Sequence, residues 1–332
     1  MALRRRRRYT HSVLIRLALV LVAVLTAPAA AWAAQVDAPV GPQAIVVVDV
    51  HQANVVVREG PGTAVRIVAT GARVERRTYT PTAGDRRVHV LPVSVQTRDG
   101  ARITLSGESF TMAPLRAAPH DDIRVVGGDV GSVAIQVPQR TALVLVKMER
   151  GRLRVEGLRH ATLLAKIRRG VIAVTDFAGA GYLQVAQGVI GIDGSMLRHV
   201  RLRTGIGAIV LRDCTIAQTQ ATSIRGDVIV DDAAFLPGMA RFDSRSGAVA
   251  LGVGESGAQV SGSTAAGRIF TLLDGRSHPQ IDRGVVSATV HGGGPAVTLR
   301  SERGNLFLYD GSLLHRATTP PWARIEALLE RL

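Results

Sequence analysis

The sequence predicts an all-β protein, a single-stranded parallel β-solenoid with rungs of about 19 residues. Two observations carry this. Glycines recur at Gly151, Gly170, Gly188, Gly207, Gly226, Gly247, Gly267, Gly284 and Gly304, with spacings of 19, 18, 19, 19, 21, 20, 17 and 20. Two positions after them stand Leu153, Ile172, Ile190, Ile209, Val228, Val249, Ile269, Val286 and Leu306, every one aliphatic.

Four positions after the glycine the column is again nearly all apolar, from Val155 and Val174 to Leu308. A step of two keeps side chains on one face of a strand. The same alternation precedes the glycine, with Val144, Leu163, Val200 and Val297 seven positions back and Val146, Leu183, Leu202 and Leu299 five back. Each rung therefore reads as two short strands around a glycine corner. Three positions before the glycine, Thr204, Ser223, Ser244, Thr264 and Ser301 offer hydroxyls to the backbone of the bend. One rung cannot bury its own apolar face, whereas rungs stacked about 4.8 Å apart share a continuous interior. Nine of them in chain order would make a rod of about 40 Å. No helical periodicity of useful length interrupts Val144 to Leu308.

The strings Val200-Arg201-Leu202-Arg203-Thr204-Gly205-Ile206-Gly207-Ala208-Ile209-Val210-Leu211 and Val297-Thr298-Leu299-Arg300-Ser301-Glu302-Arg303-Gly304-Asn305-Leu306-Phe307-Leu308 resemble the adhesin family of bacterial β-solenoids. Ile45 to Val50, Val55 to Gly60 and Val65 to Thr70 are similar to the opening rungs of such proteins. The resemblance covers most of residues 43 to 310 and is weakest over Arg73 to Gly131. It implies an exported or membrane-attached bacterial protein, and it brings no catalytic residues with it.

Four segments follow. Arg4 to Arg8, the apolar run Leu17 to Ala27 and the motif Ala31-Trp32-Ala33 read as a signal peptide over residues 1–34. The run is about half of what a bilayer-spanning helix needs. Residues 35–131 read as N-terminal strands followed by a strand-containing insertion that caps one end. Residues 132–310 read as the solenoid repeats. Residues 311–332 read as a linker and a short amphipathic helix carrying Ile325, Leu328, Leu329 and Leu332.

Composition narrows the function. Removing the six arginines of the signal leaves 35 cations against 26 acids, so the formal charge falls from +15 to +9 and the mature chain stays basic. Aromatic residues are only 4%, too few to interleave with the cations as base-stacking platforms, so nucleic acid is not expected. A single cysteine, Cys214, precludes an internal disulfide after export and reads as a small buried residue.

Two outward faces are candidate sites. Lys147, Arg150, Lys166, Arg169, Arg203 and Arg225 form a possible anionic-ligand ladder for polysaccharide or another acidic partner. Val171, Ala173, Val189, Val210, Ile229, Ala250 and Phe270 form an apolar stripe that needs a docked element or an interaction partner. The expected cover is the C-terminal helix or the N-terminal insertion, with Ile325, Leu328, Leu329 and Leu332 packing across the C-terminal end of the stripe. His120-Asp121-Asp122 lacks the further spaced ligands of a metal site. Asp213, Asp227, Asp231, Asp232 and Asp243 occupy different positions relative to the glycines, unlike the paired carboxylates of a polysaccharide-cleaving β-helix. No catalytic, cofactor or metal residues are assigned. The sequence therefore reads as an exported non-catalytic adhesin-like module of the cell envelope that binds an anionic polysaccharide or an envelope protein. The alternatives are a self-associating periplasmic scaffold and, behind it, a carbohydrate-active enzyme.

Overall fold

The computed structural model describes residues 33–41, 44–79, 87–90, 93–97, 101–105, 108–112, 120–275 and 277–311. The predicted signal peptide lies outside the described residues apart from Ala33 and Ala34, and the predicted C-terminal linker and helix lie outside them apart from Gly311. In chain order the strands are β1 (Ala33–Pro39), β2 (Ala44–Gly60), β3 (Ala64–Thr70), β4 (Arg73–Tyr79), β5 (Arg87–Val90), β6 (Val93–Thr97), β7 (Ala101–Leu105) and β8 (Glu108–Met112). There follow β9 (His120–Pro138), β10 (Thr141–Glu156), β11 (Thr162–Thr175), β12 (Ala178–Asp193), β13 (Met196–Ile206), β14 (Ile209–Arg212), β15 (Thr215–Arg225) and β16 (Val228–Phe235). The last are β17 (Met239–Ser246), β18 (Val249–Val253), β19 (Ala258–Thr264), β20 (Ile269–Leu272), β21 (His278–Asp282), β22 (Val285–Val290), β23 (Ala296–Ser301) and β24 (Leu306–Asp310). Twenty strands form one sheet system and β5 to β8 a separate antiparallel meander.

The fold is a parallel β-solenoid. The aliphatic column runs Val133, Val55, Leu153, Ile172, Ile190, Ile209, Val228, Val249, Leu306 and Ile269, one residue per rung. All but Ile269 are buried to 1% exposure or less. At the parallel-strand spacing the column is about 43 Å long.

Stacking does not follow chain order at either end. On the N-terminal side β2 lies between β9 and β10, paired parallel with both. The rungs therefore include Ala44–Gly60 and begin again at His120, earlier than the expected boundary at residue 132. The outer edge of β9 is occupied by β3 and β4, both antiparallel to it. On the C-terminal side β23 and β24 insert between β17/β18 and β19/β20. The free edge of β19 is taken by β22, which pairs antiparallel with it and with β21. Open parallel edges template aggregation, and antiparallel strands laid on them remove that edge.

Gly284 and Val286 consequently leave the predicted repeat. Arg283 and Gly284, at φ of 39° and 82°, form the two-residue turn joining β21 to β22. Two positive φ angles in a two-residue loop match the twist of a tight hairpin, so this glycine serves a hairpin and not a solenoid corner.

The other eight glycines do form a column, with Ala53 at its N-terminal side. A Cβ on Gly170 would sit 1.9 Å from the Gly151 carbonyl oxygen, one on Gly188 1.7 Å from that of Gly170, and one on Gly207 1.7 Å from that of Gly188. The series continues through Gly226 and Gly247, then passes to Gly304 and ends at Gly267. Backbone of one rung thus rests where a side chain of the next would be. The hydroxyls three positions earlier supply the hydrogen bonds. Ser223 donates to the Gly207 carbonyl at 3.0 Å, Ser244 to that of Gly226 at 2.8 Å, Ser301 to that of Gly247 at 2.9 Å, and Thr264 to that of Gly304 at 2.7 Å. Each pairs a part-buried corner carbonyl, and a bond of this kind contributes about 0.5–1.5 kcal/mol net.

A second turn column lies six residues after the corner: Gly157, Asp176, Gly194, Asp213 and Asp232, all at φ between 46° and 65°. Aspartate is among the side chains that tolerate this left-handed conformation best. Cys214 follows in this turn, 1% exposed, and its Sγ donates to the Arg212 carbonyl at 3.1 Å. Burial pushes its thiol up from 9.0 to about 12, which suppresses the reactive thiolate at neutral pH.

Candidate functional site

Outward positions on the strand before the corner fall into two columns. Four residues before the glycine, the ladder reads Asp49, Lys147, Lys166, Gln184, Arg203, Thr222, Asp243, Arg300 and Ser263. Immediately before it, Gln52, Arg150, Arg169, Gln187, Ile206, Arg225 and Ser246 stack. Lys147 thus neighbours Lys166, and Arg150 neighbours Arg169. Gln184 separates Arg203 from the first pair, and Gln187 with Ile206 separates Arg225 from the second. Like charges one rung apart repel; at the lysine pair an acid offsets this, Lys147 Nζ lying 3.8 Å from Asp49, while Arg168, which belongs to neither pair, bonds Glu149 at 3.3 Å.

Sequence reasoning passed over the column two residues further back on the same face: Val47, Leu145, Leu164, Tyr182, Arg201, Gln220, Arg241, Thr298 and Ser261. It is apolar and buried up to Tyr182 and polar from Arg201 onward. At that change a shallow groove of about 220 Å³ opens, lined by Tyr182, Arg201, Leu202, Arg203, Gln220 and Thr222. The Tyr182 phenol donates to Gln184 Oε1 at 3.3 Å, which holds the ring at the groove edge. Two guanidinium groups, an amide, a hydroxyl and a fixed aromatic edge can hold a carboxylate or sulfate with neighbouring hydroxyls. The groove is smaller than the roughly 300–1,000 Å³ of a cofactor pocket, and an open face suits one unit of a longer chain. The signal for Arg201 was available, because a step of two from Arg203 keeps the same face.

On the strand after the corner, Val171 stacks on Val189 one residue beyond the glycine. Two residues further, Ala173, Gly191, Val210, Ile229, Ala250, Phe307 and Phe270 form one ladder. These are half-buried except Phe270, which is 45% exposed, and its ring stacks on Phe307 with centroids 5.0 Å apart. The helix expected to cover the stripe falls outside the described residues.

The acids do not converge. Asp213 and Asp232 share the left-handed turn position, contrary to the expectation that they differ in register. Asp227 accepts from the Ala248 amide at 2.8 Å, and Asp243 bonds Arg241 at 2.6 Å. Asp231 accepts from the buried Tyr309 hydroxyl at 3.1 Å, and burial followed by that carboxylate pushes the phenol up. In the His120-Asp121-Asp122 segment, Asp121 accepts from the Gly41 amide at 3.0 Å and lies 3.5 Å from Arg76. These are structural partners of turns and strands.

Among the described residues, one group of metal-ligand type is assembled from distant segments. His291 Nε2 lies 3.2 Å from Asp310 Oδ2 and 3.9 Å from Asp274 Oδ2. Its Nδ1 faces the Gly254 carbonyl at 2.9 Å, and Ser277 Oγ donates to Asp274 Oδ1 at 2.8 Å.

The Toastrack DUF4097 family matches residues 44–306. Among curated proteins none matches the chain. Among solved structures, a crystal structure from Clostridium sporogenes, of a protein whose name gives it an inferred role in cell adhesion, is similar at 7% identity and a TM-score of 0.24. The similarity covers 84% of this chain and 100% of that one.

Proposed function

This chain belongs to the Toastrack DUF4097 family, and on that footing we propose that it is an exported, non-catalytic binding module of the bacterial envelope whose groove holds an anionic polysaccharide. The observation that supports this most is the groove itself, in which Arg201 and Arg203 project from one strand beside Tyr182, Gln220 and Thr222. Parallel rungs repeat polar groups at about 4.8 Å, close to the rise of an extended sugar unit, so flanking rungs can engage successive units weakly. The scattered commitments of the acids favour binding over glycoside cleavage, which needs two carboxylates facing one bond.

The test is binding to immobilised heparin and polygalacturonate. Arg201→Ala with Arg203→Ala is expected to weaken binding about tenfold or more and to flatten its salt dependence. Unaltered binding by the double variant would remove the groove from the proposal. Self-association through the Phe270 end of the apolar ladder is the second reading, and oligomers lost in Phe270→Ser would favour it.

Export belongs to the same proposal and rests on residues 1–34. A C-terminally tagged protein is expected outside the cytoplasm, sensitive to protease in intact or envelope-permeabilised cells. Protection until the cytoplasm is opened would refute it.

A further inference from the structure

We propose that Asp274, His291 and Asp310 form a divalent transition-metal site of the zinc class, which pins the out-of-order C-terminal rungs together. This inference is independent of polysaccharide binding. All three ligand atoms lie within 4.8 Å of one another. Donors around a tetrahedral ion with bonds of about 2.0–2.1 Å are about 3.3 Å apart. The observed 3.2 Å and 3.9 Å from Nε2 need adjustments of only tenths of an ångström to meet that.

The surrounding groups aim these donors. A carbonyl oxygen can only accept, so the contact with Gly254 places a proton on His291 Nδ1. With Nδ1 turned to the carbonyl, Nε2 is the nitrogen that faces the two carboxylates, in the place where a divalent cation could be shared among the three. An N–H to backbone carbonyl contact behind the ligating nitrogen is the usual orientation of metal-bound histidine. Ser277 donates to Oδ1 of Asp274 and so orients the carboxylate with Oδ2 as the oxygen nearer the imidazole. Ser277 is itself 7% exposed and 3.4 Å from the His291 amide, which ties the two ligand segments together. His291 holds a positive φ of 49° at the start of the turn that continues through Gly292 and Gly293, a left-handed conformation in which histidine is enriched over most side chains.

Burial supports a stapling role. The Asp310 side chain is 4% exposed, that of His291 16% and that of Asp274 26%, so the ion would enter beside Asp274. The ligands come from the segment after β20, the turn after β22 and the end of β24, and the Gly254 carbonyl follows β18. One ion would thus join the inserted rung, the end rung and its capping hairpin. Carboxylate and imidazole donors suit Zn²⁺ and Co²⁺, and three protein ligands leave a fourth position for water.

The full chain, stripped with chelator and then given Zn²⁺ alone, is expected to bind one equivalent and to melt about 5 °C higher at saturating metal. Co²⁺ should give the intense visible bands of a tetrahedral site. His291→Gln and Asp274→Asn should each abolish both effects, and Asp274→Asn, at the most exposed ligand, covers the case in which the histidine variant misfolds. Failure of Zn²⁺ and Co²⁺ to bind, or equal binding by Asp274→Asn, would overturn the site and leave the trio as an imidazolium clasped by two carboxylates.

Discussion

Gly188→Ala is expected to abolish the stable fold, lowering unfolding free energy by more than about 4 kcal/mol, the range reserved for changes a structure cannot absorb. The new methyl carbon would stand 1.7 Å from the carbonyl oxygen of Gly170 and 2.8 Å from its carbonyl carbon, at a φ of 142°. Both obstacles are backbone. Relieving them means moving one rung away from the next, which breaks the parallel ladder on both sides of the corner. Urea unfolding followed by circular dichroism measures the effect.

The control is Gly194→Ala, also at positive φ. Here φ is 55° and no atom lies within 4 Å of the added carbon. Only the intrinsic left-handed penalty applies, about 1–2 kcal/mol. Gly194→Asp should cost less still, because Asp176 and Asp213 occupy the same turn position in the rungs on either side. Equal losses in Gly188→Ala and Gly194→Ala would show that backbone conformation, and not close stacking, demands the corner glycine.

The corner column was legible because its period and the step of two are both encoded by residue type. Every rung contributes an aliphatic residue two positions after its corner, and eight of the nine named from sequence stand in the stack. The order of the rungs was not legible. Leu306 and Ile269 are interchangeable as occupants of an apolar column, so the pattern is equally satisfied by either stacking order. What carried the information was the anomalous spacing of 17 between Gly267 and Gly284, together with Arg283-Gly284 as a tight-turn pair. The missing member of the column, Val286, marks the hairpin.

The same physics hid the sites. The six cations share outward positions, yet Gln184, Gln187 and Ile206 interrupt them, since nothing in a solvated face enforces identity from rung to rung. Arg201 could have been paired with Arg203 by parity. Asp274, His291 and Asp310 could not be associated, because spacings of 17 and 19 resemble one solenoid turn while the actual route passes through a hairpin and an inserted rung. Only the insertion of β24 beside β18 brings Asp310 to His291.

Removing residues 296–332 is expected to unfold more than the rung deleted, and this is the second large effect. In a solenoid stacked in chain order, trimming the last rung shortens the rod and leaves β19 to β22 as its new end. Here β23 and β24 lie between β17/β18 and β19/β20, so the deletion takes away the parallel partner of both end strands. It also removes the Tyr309 bond to Asp231 and the Asp310 contact with His291. A hairpin with a single added strand is marginal without a covered apolar face, so β19 to β22 should detach as a unit. Limited proteolysis with mass spectrometry should give a resistant core ending near Val253, with β17 and β18 now exposed as the terminal edge. A resistant fragment that still reaches Val290 would mean that β19 and β20 can restack directly on β17 and β18, the sequential order the repeat alone would have chosen. The inserted rung would then be a preference of the intact chain and no structural requirement of its end.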